Sequence, residues 1–220
     1  MKSIVISPHP DDEVLGAGGT LLKRRSAGHS VAWLIVTSVS IEHGWKKKQI
    51  EKKNKEIKKI SKFFNFTKVF HLNFPTKKLD TIPKNEIVRE ITRIFNLYKP
   101  QEIFIPHISD VHTDHKVVSE VISTCTKNFR FPFIKRILDY ETISETEYNL
   151  DKSKQFHPNY FEDISNFLSK KIKALKIYKS EIGKFPFPRS KEAIDAQAKW
   201  RGTHIGSKAA EAFELLRQII

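Results

Sequence analysis

The stretch Ser3-Ile4-Val5-Ile6-Ser7-Pro8-His9-Pro10-Asp11-Asp12-Glu13-Val14-Leu15 decides the fold. Its apolar centre, Ile4-Val5-Ile6, predicts a short buried strand of the kind found inside parallel sheets. From Val14 the pattern changes to that of a helix, which runs to Ala27 and stops at Gly28 in the C-cap role. Between strand and helix lies a turn carrying an imidazole and three carboxylates, His9 to Glu13. The chain therefore opens on a strand–turn–helix unit with its ionisable side chains at the carboxyl end of the strand.

The same alternation continues outward. Ser30–Val36 reads as a second buried strand, and Ile50–Phe64 as a Lys-rich helix with Ile57, Ile60, Phe63 and Phe64 on its apolar face. Thr67–His71 is a third strand. A helix opening near Pro83 carries Ile87, Ile91, Ile94, Phe95 and Tyr98, and stops at Pro100. Glu102–Pro106, Thr113–Lys127 and Lys135–Tyr140 read as strand, helix and strand. Farther on, an amphipathic helix is expected over Asp163–Glu181. The Pro-broken Phe185-Pro186-Phe187-Pro188 follows, then a helix near Glu192–Trp200 and a terminal apolar segment. The expectation is an α/β fold, a Rossmann-like, mostly parallel sheet with helices on both faces. It would form one domain, with a core of about residues 1–140 and a C-terminal extension of about 141–220.

Composition narrows the function classes. The single cysteine, Cys125, excludes an intramolecular disulfide framework and sits on the apolar face formed by Val117, Val118, Val121 and Ile122, so a packed core thiol is expected. No segment reads as a secretory signal or as a transmembrane helix, and a soluble, cytoplasmic protein is expected. The formal charge is +14, much of it in Lys46–Lys59, where eight of fourteen residues are Lys. Such a run suits a solvated helix face, or attraction to an anionic partner such as a nucleotide-linked sugar. No zinc-finger pattern and no RNP-like aromatic strand accompanies it, so nucleic acid is not expected as a partner. Gly16, Gly18 and Gly19 lack the dinucleotide-binding pattern and are expected to serve close helix packing.

A second ionisable cluster, His112-Thr113-Asp114-His115, follows the Glu102–Pro106 strand. With strand order 3-2-1-4-5, strands one and four are neighbours at the switch point where α/β sheets bind ligands, and the two clusters should meet there. A catalytic divalent metal takes three ligands from His, Asp, Glu or Cys and keeps a position open. His9 and Asp12, three residues apart, can reach one ion, and a histidine of the second cluster can close the set. The remaining groups suit a hydrolase: a carboxylate as general base, an imidazole at the oxyanion, and a carboxylate orienting that imidazole. Glu13 is expected to serve the helix dipole, and Asp110 to be loop polarity.

Ser7–Glu13 resembles the Pro-His-Pro-Asp-Asp-Glu signature of the PIG-L/LmbE-like family of zinc-dependent N-deacetylases, and His112–His115 is similar to that family's His-x-Asp-His. The resemblance continues through Phe156-His157-Pro158-Asn159-Tyr160, Lys173–Ser180, Ala198-Lys199-Trp200-Arg201-Gly202 and Ala210-Glu211-Ala212-Phe213, covering nearly the whole chain. It implies that His9, Asp12 and His115 hold zinc, or ferrous iron, and that Asp11 is the general base. It also implies that His112 polarises an amide carbonyl and that Asp114 orients His112. The reaction implied is hydrolysis of the N-acetyl group of an amino sugar, free or joined to a nucleotide, lipid or thiol. Two positions depart from the pattern. Lys53 stands where many members carry an Arg that holds the sugar, and Thr37-Ser38-Val39-Ser40 lacks a customary Gly. Lys53 and Arg201 are the expected substrate contacts. A metal-dependent amidase or esterase acting on a non-sugar acyl group, or a non-catalytic basic metal-containing binding protein, are the alternative readings. The sequence is compatible with a homo-oligomer.

Overall fold

In the computed structural model, which describes residues 1–220, the opening apolar run is strand β1 (Lys2–Ser7). It lies third in a seven-stranded sheet of order β3-β2-β1-β4-β5-β7-β6. The partners are β2 (Ser30–Ser38), β3 (Lys68–Pro75), β4 (Glu102–Pro106), β5 (Arg136–Tyr140), β6 (Tyr160–Asp163) and β7 (Ala210–Gln218). The first five strands are parallel in the expected 3-2-1-4-5 order, and β7 and β6 add antiparallel pairs at the β5 edge. Helices α1 (Asp12–Ser26), α2 (Lys47–Phe64), α3 (Lys84–Tyr98), α4 (Thr113–Thr124), α5 (Leu168–Leu175) and α6 (Lys191–Thr203) complete the fold. None is long and apolar enough to cross a membrane.

Side-chain alternation along β1 divides the interior into two layers. Ile4 and Ile6 pack with α3 and α4, where Ile87, Ile91, Ile94, Phe95, Val118 and Cys125 are buried. Val5 faces the other way, with Trp33, Ile35, Ile60, Phe64, Tyr140 and Tyr178. The expected apolar face of α2 is buried at Ile60 and Phe64, whereas Phe63 is exposed. Two glycines bring α1 against its cover: a Cβ at Gly16 would stand 2.1 Å from the Tyr140 ring, and one at Gly19 2.8 Å from Ile164.

The C-terminal third differs most from expectation, and it extends the main sheet by two strands. In place of a helix over Asp163–Glu181, Tyr160–Asp163 is strand β6, and α5 spans only eight residues. The Asp163 carboxylate accepts hydrogen bonds from the Ser165 N–H at 2.8 Å and the Ser165 hydroxyl at 2.6 Å, a local turn that competes with helix initiation. The terminal apolar segment is β7, which carries Glu211 into the interior. Lys171 Nζ donates to Glu211 at 2.7 Å and to the Leu15 carbonyl at 2.8 Å. Glu211 in turn accepts the Gly19 and Thr20 N–H groups, at 2.8 and 2.7 Å. A buried ion pair from α5 and β7 thus engages the backbone of α1 at mid-helix. A second buried network joins Glu102 on β4 to Ser3, Arg24 and Arg136.

Candidate functional site

The carboxyl ends of β1 and β4 are adjacent, so the two ionisable clusters meet as their spacing predicts. The turn after β1 is pinned when Pro8 O accepts both the N–H and the hydroxyl of Thr37, at 3.1 and 2.7 Å. His9 Nδ1 lies 3.6 Å from Asp12 Oδ2, and His115 Nε2 lies 3.4 Å from the same oxygen. His9, His112 and His115 each present a ring nitrogen within 4.8 Å of the others.

Both rings flanking Asp12 are held from behind by a carboxylate. His115 Nδ1 is 2.8 Å from Asp110 Oδ2, and His9 Nε2 is 2.9 Å from Asp114 Oδ2. Asp110 is therefore a fully buried partner of the site, not loop polarity, and its other oxygen accepts the Thr146 hydroxyl at 2.5 Å. Asp114 also differs from expectation. Its carboxylate serves His9 and the Lys77 and Leu79 N–H groups, while its own N–H donates to His112 Nδ1 at 3.1 Å. That backbone bond leaves the proton of neutral His112 on Nε2.

The charges follow from these contacts. Burial opposes protonation of His9, but the hydrogen bond to Asp114 and the nearby Asp12 carboxylate outweigh it and raise its pKa to about 8. Burial likewise opposes charge on His115, and Asp12 and Asp110 carry it up to about 10. Asp12 is buried too, yet the His115 charge holds it well below the usual carboxylate range. His112 is pushed down to about 4 by burial and by its two histidine neighbours. Excess carboxylate surrounding two of three imidazoles is a donor set suited to a divalent cation. His9, His112 and His115, with the Asp12 carboxylate between two of them, could hold such an ion.

Asp11 stands beside this cluster as the residue preceding α1, with φ at 135°. This is a strained conformation for a residue with a side chain, and the surroundings enforce it. The Asp11 N–H donates to Glu13 at 3.0 Å, and Arg189 Nη1 donates to the Asp11 carboxylate at 2.8 Å. Burial and the nearby Asp12 charge raise the Asp11 carboxyl to about 7, against the pull of Arg189. Glu13 does more than face the helix dipole: it is fully buried and accepts the Tyr178 hydroxyl at 2.6 Å. Burial raises its carboxyl to about 8.

A cavity of about 310 Å³ opens over these groups, lined also by Thr37, Trp45, Lys53, His71, Glu145 and Arg189. Lys53 reaches the cavity as expected, but its Nζ is held by Glu181 at 2.5 Å. Arg201 does not line it. Its guanidinium forks onto Glu141 at 2.8 and 2.7 Å and covers the Trp200 ring at 4.3 Å, so the expected substrate contact is replaced by packing. Arg189 gave no sequence signal, because it follows an irregular Pro-rich stretch. Asp110 had a weak one, an acidic residue five positions before His115.

A cluster of histidines and carboxylates at the switch point of a parallel sheet, under an open cavity, has the make-up of a divalent-cation site, and the relatives place the chain among hydrolases of the deacetylase class. The chain belongs to the PIG-L family, described as GlcNAc-PI de-N-acetylase, which it matches over residues 4–126. It is 24% identical to diacetylchitobiose deacetylase of Thermococcus kodakarensis over 98% of this chain and 83% of that one. Among solved structures, a conserved protein of Thermus thermophilus superposes with a TM-score of 0.78 at 25% identity, covering 99% of this chain and 96% of that one. N,N'-diacetylchitobiose deacetylase of Pyrococcus horikoshii gives 0.76 at 22% identity, covering 98% and 84%.

Proposed function

We propose that this protein removes the N-acetyl group from an amino sugar or its conjugate, releasing acetate and a free amine. The observation that carries the reading is the convergence of His9 Nδ1 and His115 Nε2 on one Asp12 oxygen, with each ring backed by its own carboxylate. His9, Asp12 and His115 would hold Zn2+ or Fe2+. His112 is left out of the ligand set because no carboxylate supports its ring, as one commonly does behind a ligating histidine. When bound, the ion supplies Lewis acidity toward the acetyl carbonyl and makes water more acidic.

The other roles belong to the chain's own groups. Asp11 accepts a proton from the attacking water and passes it to the departing amine. Arg189 holds the carboxylate in place. Neutral His112, with its proton on Nε2, donates a hydrogen bond to the carbonyl oxygen as negative charge develops there. Asp114 acts through its backbone N–H on His112 and through its carboxylate on His9. Most residues lining the cavity carry hydrogen-bonding groups, which suits a hydroxyl-rich substrate, and the relatives named for diacetylchitobiose support an N-acetylated sugar.

The deciding experiment measures acetate release from N-acetylhexosamines in free, nucleotide-linked, lipid-linked and thiol-linked form, and from non-sugar acetamides and acetate esters, with metal-loaded and chelator-stripped protein. Release from a sugar substrate that depends on metal is expected. Turnover by stripped protein equal to that of loaded protein would refute the metal assignment. Release only from non-sugar amides or esters would refute the substrate class.

A further inference from the structure

Among the side chains lining the cavity, the apolar ones apart from Pro10 are Val39, Trp45 and Ile57. All three belong to the segment joining β2 to α2 and to α2 itself, whereas the ionisable groups, apart from Lys53 on α2, come from the ends of β1, β3 and β4 and from the C-terminal third. One segment brings an indole and two aliphatic side chains into a space otherwise bordered by charged and hydrogen-bonding groups.

Trp45 is the distinctive member. Trp33 is fully buried with its indole N–H bonded to Ser7, and Trp200 lies against Arg201 and His204. Trp45 alone of the three borders the cavity, where it is half-buried. Its position is prepared by the backbone. Ser40 O accepts the N–H groups of both His43 and Trp45 at 3.2 Å, and Gly44 takes the left-handed conformation at φ 83°. Ser40 Oγ lies 2.6 Å from His43 Nδ1 and closes the turn. The turn sets the backbone from which the indole projects, and a Trp side chain has only two χ angles to lose when it meets a ligand. Lys53 and Asn54, on the same segment, supply hydrogen-bonding groups to the same cavity.

We infer that Trp45, with Val39 and Ile57 lining the same cavity, is a stacking platform for a pyranose ring, and that this platform selects sugar acetamides over ringless ones. A pyranose has an apolar C–H face edged by hydroxyls, matching an indole and two aliphatic groups beside Lys53 and Asn54. The inference rests on the deacetylase reading and adds to it a determinant of substrate choice remote from the ionisable cluster. A platform of this kind holds the ring equally in ground and transition states. It therefore acts on KM and leaves kcat nearly unchanged.

The test compares wild type, W45A and W45F as metal-loaded enzymes on N-acetylglucosamine, N,N'-diacetylchitobiose and the ringless acetamide N-acetylethanolamine. Binding is read separately by calorimetry of both sugars in a D11A background, where turnover is suppressed. W45A should raise KM for both sugars about tenfold and weaken their Kd alike, with kcat within about twofold. W45F should stay within about threefold of wild type, and the ringless amide should show no change in kcat/KM. Unchanged KM and Kd for the sugars in W45A would overturn the platform, as would an equal loss on sugars and the ringless amide. Where wild type deacetylates the sugars and W45A matches it, this inference alone fails. Where wild type releases acetate from neither sugar nor from any of the nucleotide-, lipid- and thiol-linked sugars above, and binds none of them, the deacetylase reading fails and takes this one with it.

Discussion

Replacing Asp110 by Ala should weaken metal binding about 10- to 100-fold, although Asp110 stands behind the proposed ligand His115 and not among the proposed ligands. Its carboxylate is fully buried and sits 2.8 Å from His115 Nδ1, so it fixes the ring orientation that aims Nε2 toward Asp12. Without it, a buried imidazole N–H loses its acceptor, which costs about 1–3 kcal/mol. A loss of 10- to 100-fold in affinity corresponds to about 1.4–2.8 kcal/mol, the same range. D110N should lose less, since an amide oxygen can still accept from Nδ1. Asp110 also accepts the Thr146 hydroxyl, so T146V separates loop anchoring from ring orientation and should stay within about threefold of wild type. The assay is zinc affinity by chelator competition, with D80N at an exposed site as the control. A folded D110A that binds zinc as tightly as wild type would refute the reasoning. So would a T146V as weak as D110A, because the loop and not the ring would then be responsible.

Three further outcomes are expected. D11A should reduce turnover by a factor of about 100 or more while the metal content measured by mass spectrometry stays at the wild-type level; unchanged turnover would remove Asp11 as the base. G16A should destabilise by about 1–3 kcal/mol in urea unfolding, because the new methyl meets the buried Tyr140 ring, and an unchanged or higher midpoint would contradict the packing. E162Q should lose the acid sensitivity associated with Glu162. Burial opposes charge on that carboxylate, but Arg24 and Lys23 hold its pKa below the ordinary 4.5, so its stabilisation is present above pH 4.5 and is lost as pH falls through the folded value. The melting-temperature gap between wild type and E162Q should narrow below pH 4.5, and a gap that widens there would reverse the sign.

The β1–α1 unit, the strand order 3-2-1-4-5 and the meeting of the two clusters were legible because each rests on local signals. The apolar triplet, the switch to helical spacing and the position of each His/Asp string past a strand all point the same way. The division of labour among carboxylates was not legible. Whether Asp114 turns its side chain to His112 or His9 depends on where the Lys77 and Leu79 N–H groups lie, and they approach from another loop. Arg189 reaches Asp11 from 178 positions away and carries no periodicity or motif. The amphipathic pattern over 163–181 was real, but one Asp–Ser turn at its start shortened the helix. Arg201 shows the converse, a residue in a matching block whose fork is taken by Glu141.

The ion pair between Lys171 and Glu211, set against the middle of α1, has a consequence for how the molecule is made. A ribosome delivers β1, the Asp11–Asp12 turn and α1 first. The two residues that engage α1 by its backbone emerge roughly 150 to 190 residues later. Until then Leu15, Gly19 and Thr20 lack their late partners, and the turn bearing His9, Asp11 and Asp12 leads into an incompletely braced helix. A nascent chain stalled before Glu211 should therefore acquire the parallel strands with its His/Asp turn on a helix that still lacks the late brace, which arrives only when the last strand is threaded into the sheet.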